Sequence, residues 1–374
     1  MHTEPGTTTQ NPSHNNRRGS RLKGISLAVL IAALSFVGAG ALDAGWLGLR
    51  VSPFSPVILA IVFGALIANL GFAPEAWRCG FAFCSKYLLQ AGIVALGFRL
   101  SLTSAGSIGL EALPLVLTCI AAALLIVAVS GPVMGLPGRL TGLIAVGTSI
   151  CGCTAIVALA PLIRAKDEEV SYGIAVVAIF GVLAMLCYPW LAHWLFADQS
   201  QLAGFFLGTA IHDTAQVAGA ALIYADQFLA AEALDVATVT KLVRNLMMVL
   251  LLPLMALLYR SPASTDARRG LTFSLLPPFI LAFVGMSALR SWGDMTLSES
   301  QAALGMLDAG AWQQVISVLS TAAKWLLAIA MAAVGLTTRF SVLRELGLKP
   351  FMLGLTAAAA VGLTSLTWLK TFSA

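Results

Sequence analysis

GTSICG at Gly147–Gly152 and GTAIHD at Gly208–Asp213 are polar strings, and each lies in the middle of an apolar stretch long enough to cross a bilayer. Both carry glycine and hydroxyl residues where a spanning helix favours leucine. Lipid cannot hydrogen-bond a loose backbone amide, so irregular backbone at membrane depth is tolerated only where protein buries it or where it lines a wet cavity. Two such strings in one chain predict broken helices around a substrate site.

The composition of the chain is that of a membrane protein. Of its 374 residues, 59% are hydrophobic and 10% are charged, whereas about 25% are charged in a soluble domain. The mean hydropathy is +0.89. The net charge of +5 fits the Lys and Arg excess on the cytoplasmic loops of polytopic proteins. No basic run interleaved with aromatic residues is present, so no nucleic-acid partner is predicted.

Eleven apolar runs reach the length of about 17–25 residues that a transmembrane helix needs. We therefore predict an all-α polytopic membrane protein with ten or eleven transmembrane helices and with broken helices at the bilayer midplane. The runs lie at 25–42, 54–71, 80–99, 111–131, 140–163, 170–192, 203–224, 241–259, 272–290, 313–338 and 350–370.

The polar N-terminal segment is rich in Asn, Thr and Ser and ends in a basic cluster. We predict that residues 1–23 form a disordered cytoplasmic tail and that residues 24–374 form a single transmembrane domain. The loop basic residues favour the same orientation, although Arg164 and Lys166 oppose it. The predicted location is the bacterial inner membrane, as a multi-pass protein with its N-terminus in the cytoplasm.

An internal similarity predicts an inverted repeat. Lys86-Tyr-Leu-Leu aligns with Lys324-Trp-Leu-Leu, and the match continues without gaps to Gly109-Leu110 and Gly347-Leu348. In the predicted topology the two helices are the third and tenth spans, which run in opposite directions, as an inverted repeat requires. Chance similarity between two amphipathic helix starts is the alternative.

The first polar string predicts an anion site. A helix that breaks there leaves free N–H groups at the restarted half-helix, and these suit an oxyanion. A small-residue face for close helix packing is the alternative. The candidate site residues of this string are Gly147, Thr148, Ser149, Gly152 and Thr154.

The second polar string places His212 and Asp213 about nine residues into an apolar span. Intramembrane ionisable groups are functional candidates, while Asp213 as a helix N-cap is the structural alternative. Gln216 lies one turn beyond His212 and shares its face. Thr209 adds a hydroxyl.

Three basic residues complete the candidate set. Lys324 lies well inside its apolar run, so we predict a buried partner or an anion contact for it. Arg244 lies one helical turn after Lys241 on a similar face, and we count Arg244 among the substrate-binding candidates. For Lys241 we favour snorkelling of the ammonium group toward the headgroups.

The cysteines predict neither a metal nor a cofactor. Cys151-Gly-Cys153 supplies two thiols without nearby His or further Cys, which is half the usual ligand set. An intramembrane thiol enzyme with Cys151 as nucleophile and His212 as base is a competing hypothesis. We favour a protein that is not an enzyme.

These motifs resemble the YeiH-type family of bacterial inner-membrane proteins, in which sulfate export is the suggested activity. The resemblance rests on GTSICG, on AIHD-x-AQV at Ala210–Val217 and on K-x-x-RN at Lys241–Asn245, and it extends from about Pro56 to the C-terminus. It implies a secondary-carrier fold related to the sodium/proton antiporter and bile-acid transporter superfamily, with inverted repeats and crossing broken helices.

The predicted function is secondary transport of a small inorganic or sulfonate-like oxyanion, with sulfate as the first choice. Coupling to a proton or to sodium is open, as is assembly into a homodimer in the lipid bilayer. The first alternative is a cation/proton antiporter in which Asp213 alternates between a proton and sodium. A passive anion channel is a third, after the thiol enzyme.

Overall fold

The computed structural model describes residues 14–43, 55–197, 199–259, 277–339 and 347–372, and within these ranges the chain is helical, with a single isolated β-bridge between Ala303 and Leu307. Its α-helices are α1 (His14–Asp43), α2 (Pro56–Asn69), α3 (Arg78–Phe83), α4 (Leu89–Leu96), α5 (Leu102–Val133), α6 (Gly138–Ser149), α7 (Cys153–Leu162), α8 (Asp167–Phe196), α9 (Ser200–Ala210), α10 (Thr214–Gln227), α11 (Ala231–Leu246), α12 (Met248–Leu258), α13 (Pro278–Ser300), α14 (Ala309–Thr337) and α15 (Leu348–Phe372).

Several helices begin where the sequence supplies a cap. Ser55, Ser101 and Asp308 each accept a hydrogen bond from a backbone N–H in the first turn of α2, α5 and α14 respectively. Such caps satisfy donors that a helix start leaves unpaired. A π-helical turn at Cys84–Leu88 joins α3 to α4, so that Glu75–Arg99 forms one apolar helical segment.

The all-α polytopic class is confirmed. By length and composition, seven helical segments among the described residues can cross a membrane. The other four predicted spans correspond to α2, to α13 and to two pairs of half-helices, α6 with α7 and α9 with α10. The eighth span was expected from residue 241, but α11 begins at Ala231. Residues 272–276 of the ninth predicted span lie outside the described residues.

The predicted disordered tail is wrong in its second part, because α1 begins at His14 and residues 14–23 are helical. Helix propagation adds one hydrogen bond for each residue fixed, so the apolar part of α1 extends the helix into the basic segment. Residues 1–13 lie outside the described residues, and their disorder stays a prediction.

The helices of the internal repeat pack in matching pairs. α14 packs against the Glu75–Arg99 segment, and α15, which follows it, packs against α5. Their opposite direction across the membrane stays a prediction.

The half-helices α9 and α10 both pack on α11. Gly208 lets α9 approach α11 closely, since a Cβ at this position would lie 2.7 Å from the Cβ of Thr240.

Candidate functional site

Both predicted helix breaks are present in the structure. α6 ends at Ser149 and α7 begins at Cys153, while α9 ends at Ala210 and α10 begins at Thr214. The half-helices are 10 to 14 residues long, which corresponds to about 15–21 Å each. Each break therefore lies near the middle of its segment.

The two breaks contact each other at Gly152 and Asp213. Gly152 has φ 69° and ψ −129°, a conformation that glycine adopts far more readily than any residue with a Cβ. A Cβ at this position would lie 2.7 Å from Oδ2 and 3.0 Å from the Cβ of Asp213. The broken helices therefore cross at this point, which we call the crossing (residues 148–153 and 209–214).

Replacing Gly152 by alanine should destabilise the crossing, because both the backbone conformation and the close contact exclude a methyl group. We expect a loss of about 1–3 kcal/mol from backbone strain alone, measured as a lower melting temperature in detergent. Gly106→Ala is the matched control, since a Cβ there meets nothing within 4 Å. Equal melting temperatures for the two variants would contradict the assigned geometry.

The carboxylate of Asp213 lies at the N-terminal ends of two half-helices. It accepts a hydrogen bond from the Ala215 N–H at 2.9 Å and so caps α10. The backbone N–H of Cys153, the first residue of α7, also donates to it. The N-cap alternative for Asp213 is thus the geometry observed. The positive N-terminal ends of α7 and α10 were expected to bind a substrate anion, but in this structure they bind the Asp213 carboxylate.

Gln216 completes the cap of α10. Its Oε1 accepts from the Asp213 N–H at 3.2 Å, and its Nε2 donates to the carbonyl oxygen of Ala178 in α8 at 3.2 Å. The side chain is 5% exposed. Gln216 therefore ties the second break to α8, with its amide engaged in backbone contacts, and its predicted role in substrate binding stays a prediction.

Lys241 holds carbonyl groups that the breaks leave free. It is 1% exposed, and its Nζ donates to the carbonyl oxygens of Ile150 at 2.9 Å and of Ile211 at 3.2 Å and to that of His212. The snorkelling interpretation is therefore wrong for this residue. The ammonium group stabilises the negative, C-terminal ends of α6 and α9.

Arg244 supports the same carbonyl ends one turn later on α11. Its Nε donates to the Ser149 carbonyl oxygen at 2.7 Å, and its Nη1 donates to those of Thr209 at 2.6 Å and Ile211 at 3.1 Å. Its Nη2 donates to the carbonyl oxygen of Thr148. The guanidinium predicted to contact a substrate is 0% exposed and binds backbone.

The hydroxyl groups expected to line the site bond back to their own helices. Thr148 Oγ1 donates to the Ile144 carbonyl oxygen at 2.7 Å, and Ser149 Oγ donates to that of Ala145 at 2.5 Å. Thr209 Oγ1 donates to the carbonyl oxygen of Phe205 and shares a 2.7 Å bond with the hydroxyl of Ser365. Each hydroxyl oxygen keeps acceptor capacity, but its proton is used within the helix.

Three candidates from the sequence lie apart from these contacts. Gly147 is buried, and a Cβ there would meet Ile156 and Val177. Thr154 is exposed on α7. Lys324 is paired with Asp226 at 3.4 Å, with 44% of the lysine side chain exposed. The predicted partner therefore exists, but Lys324 does not lie with the other candidates at the crossing.

Two polar side chains, one in the crossing and one in contact with it, have unsatisfied atoms. His212 is 0% exposed, and neither imidazole nitrogen makes a hydrogen bond of ordinary geometry within the described residues. Asn245 Nδ2 donates to Thr214 Oγ1 at 3.1 Å, but its Oδ1 has no such partner there. Buried polar atoms of this kind typically mark ordered water, an ion or a functional contact. Asn245 was not among the candidates predicted from the sequence, where it appears only as part of the K-x-x-RN motif.

Comparison with known proteins assigns the family. A family model described as "Conserved hypothetical protein 698" matches residues 23–354. The chain belongs to this family. It is 34% identical over 349 residues to a UPF0324 membrane protein of Streptococcus pyogenes serotype M6, covering 92% of this chain and 96% of the relative. It is 30% identical over 358 residues to the UPF0324 inner membrane protein YeiH of Salmonella typhi, covering 93% of each.

Membership in the UPF0324 family confirms the YeiH-type resemblance and a multi-pass membrane protein. The relatives from Salmonella typhi and Escherichia coli are named inner membrane proteins. The relation to the sodium/proton antiporter and bile-acid transporter superfamily stays a prediction, as does the orientation of the N-terminus.

Proposed function

We propose that this UPF0324 protein is a secondary transporter that moves a small oxyanion, with sulfate as the first choice, through the crossing. The observation that carries the proposal is the excess of buried positive charge there. Two buried basic side chains, Lys241 and Arg244, lie there. Among the described residues they are opposed by one carboxylate, that of Asp213, whose charge acts on Lys241.

The two cations are held without a direct ion pair. Among the described residues, no carboxylate oxygen lies within 4.0 Å of Lys241 or Arg244. Backbone carbonyls solvate them, but a buried net charge remains costly. An anion that enters the crossing lowers this cost, whereas a cation raises it.

The position that an anion would take is the one that Asp213 occupies. Backbone N–H groups of Cys153 and Ala215 face its carboxylate, and such groups at helix starts bind oxyanions well. When the carboxyl group is protonated or turns away, the same donors become available to a substrate. Asp213 therefore acts as an internal competitor that couples substrate binding to a proton.

Export of sulfate needs no strong pump. Moving one unit charge through 100 mV is worth about 2.3 kcal/mol, and sulfate carries two negative charges out of a cell with a negative interior. A carrier with two alternating conformations suffices. Hydrogen bonds that Lys241 and Arg244 make to both breaks keep the half-helices together during the change.

Radiolabelled sulfate flux into proteoliposomes tests the proposal, with sodium flux measured in parallel. We expect sulfate flux well above that of protein-free vesicles. Sulfate flux at the protein-free level, together with sodium–proton exchange, would overturn the proposal in favour of the antiporter.

His212→Leu should lower the flux about tenfold or more while leaving the melting temperature unchanged. Leucine has a similar volume, and the imidazole makes no protein hydrogen bond of ordinary geometry within the described residues that would be lost. A hydrogen bond to a charged substrate is worth about 1.5–3 kcal/mol, which sets the size of the effect. Arg78→Gln is the control, because this side chain is 65% exposed in a pair with Glu75. Unchanged flux in His212→Leu would exclude the imidazole from the pathway.

The cation/proton antiporter is the second candidate, and the position of Asp213 is what favours it. A half-buried carboxylate at a helix break is able to exchange a proton for sodium. Lys241 and Arg244 oppose this reading, because sodium would enter beside two positive charges. A passive channel differs from both in needing no counter-ion.

The geometry offers little to the thiol-enzyme hypothesis. Cys151 Sγ lies 3.8 Å from the sulfur of Met248, and His212 makes no hydrogen bond to it within the described residues. A thiol and an imidazole in direct contact are what acyl transfer needs.

A further inference from the structure

A cavity lies away from the crossing, between the end of the Glu75–Arg99 segment and α14. Its volume is about 460 Å³, and its walls come from six residues, namely Arg99, Ile316, Ser317, Ser320, Thr321 and Lys324. We propose that this cavity, the vestibule, is a second oxyanion site that binds sulfate or a sulfonate before it reaches the crossing. Its role in recruitment rests on the proposed transport function, but binding in the vestibule is testable without any flux.

The polar wall of the vestibule follows one face of α14. Ser317, Ser320, Thr321 and Lys324 are spaced three and four residues apart, so they form a stripe on the helix. None of the three hydroxyls makes a hydrogen bond within the described residues, in contrast to Thr148, Ser149 and Thr209 at the crossing. These hydroxyls are available as donors to a ligand in the cavity.

Two basic side chains line the vestibule, and each is paired with a carboxylate that does not line it. Arg99 Nη2 lies 3.2 Å from Asp235 Oδ2, and Lys324 Nζ lies 3.4 Å from Asp226 Oδ1. Neither Asp226 nor Asp235 lines the cavity. A guanidinium has five N–H donors and an ammonium has three, so most donors of both groups are unused by these pairs.

Hydroxyl and basic donors with no carboxylate in the wall fit a compact oxyanion rather than a cation. Guanidinium groups bind sulfonate and sulfate oxygens in the geometry they use for carboxylates and phosphates. An oxyanion at Lys324 competes with Asp226 for the ammonium group. Removing the Asp226 charge should therefore strengthen binding, and removing the Lys324 charge should weaken it.

The vestibule and the crossing lie at opposite ends of α10. Asp213 caps the start of this helix, and Asp226 lies in its last turn. The helix has 14 residues and spans about 21 Å. An oxyanion that takes Lys324 from Asp226 thus breaks an ion pair at the far end of the half-helix whose start Asp213 caps.

Thiol labelling of Ser320→Cys tests the vestibule in a chain whose exposed Cys79 and Cys187 are changed to serine. The probes are two methanethiosulfonate reagents, one with a sulfonate group and one with a trimethylammonium group. We expect the sulfonate reagent to react about tenfold faster than the cationic one, because charged clefts concentrate ions of opposite sign. Millimolar sulfate should slow this reaction.

Charge variants and a control position make the test specific. Adding Lys324→Gln should abolish the sulfonate preference, whereas adding Asp226→Asn should increase it. Ser298→Cys, which is exposed on α13 and does not line the cavity, should show no preference for the sulfonate reagent. Equal rates at position 320, faster reaction with the cation, or no reaction with either reagent would overturn the vestibule.

The test separates the two proposals. Sulfate protection of Ser320→Cys in a protein without sulfate flux would support anion binding in the vestibule and contradict the transport proposal. Sulfate flux in a protein whose labelling shows no charge preference would do the reverse.

Discussion

Replacing Arg244 by methionine should lower the melting temperature of the protein in detergent by roughly 10 °C, or prevent the protein from accumulating in the membrane. The guanidinium donates to the carbonyl oxygens of Thr148, Ser149, Thr209 and Ile211. Lys241 still donates to the Ile211 oxygen, so the change leaves the other three buried carbonyls without a side-chain donor, and each of them costs about 1–3 kcal/mol. No neighbouring water is expected to reach all three, because the arginine is 0% exposed.

Two further variants show whether the hydrogen bonds, rather than bulk or charge, are responsible. Arg244→Lys keeps the positive charge but has fewer donors and no planar fork, so we expect a melting temperature between those of wild type and Arg244→Met. Arg78→Met removes an exposed arginine with 65% side-chain exposure and should change the melting temperature little. Equal stability of Arg244→Met and Arg78→Met would show that the crossing does not depend on the guanidinium.

The broken helices were predictable from the sequence because their cause is local. Glycine and polar residues in the middle of an apolar run cannot be satisfied by lipid, and the structure places the breaks at Ile150–Gly152 and Ile211–Asp213. The spans were predictable for the same reason, since apolar length alone defines them. The start of α11 was missed because Ala231–Leu246 carries Glu232 and Asp235 and reads as a loop.

The chemistry of the crossing was less predictable, because it depends on which helices meet. Lys241 and Arg244 share a face of α11, and that spacing was visible, but only the packing of α11 against α9 and α10 turns this face toward free carbonyls. Thr148 and Ser149 follow a local rule that was available, since hydroxyls in membrane helices tend to bond the carbonyl four residues back.

The four half-helix ends at the crossing are compensated by three side chains. The N-terminal ends of α7 and α10 face the carboxylate of Asp213, and the C-terminal ends of α6 and α9 face Lys241 and Arg244. Each charge has the sign that the adjacent helix dipole favours. Under the proposed function, a substrate anion would replace the Asp213 carboxylate, and the hydrogen bonds from Lys241 and Arg244 to the backbone carbonyls would remain.

Asp213→Asn should keep the fold and remove the competition between the carboxylate and a substrate anion. Asparagine is as good an N-cap as aspartate, so in the anion-free protein its side-chain oxygen preserves the bond from the Ala215 N–H, while its neutral amide turns away for an anion without like-charge repulsion. We expect sulfate to bind at least about tenfold more tightly at neutral pH, because like charges in contact cost several kcal/mol. Sulfate exchange between vesicles should continue, but its dependence on pH and its coupling to a proton gradient should disappear.

Asp213→Ala separates the cap from the charge. Alanine removes both, and loss of an N-cap costs about 0.5–2 kcal/mol, so this variant should melt earlier than Asp213→Asn while losing the same pH dependence. Radiolabelled sulfate binding and exchange at several pH values provide the measurement. An antiporter predicts the opposite for Asp213→Asn, namely complete loss of sodium–proton exchange and no gain in sulfate binding. Weaker sulfate binding in Asp213→Asn than in wild type would show that the carboxylate favours anion binding instead of competing with it. That result would contradict the proposed coupling of sulfate binding to a proton.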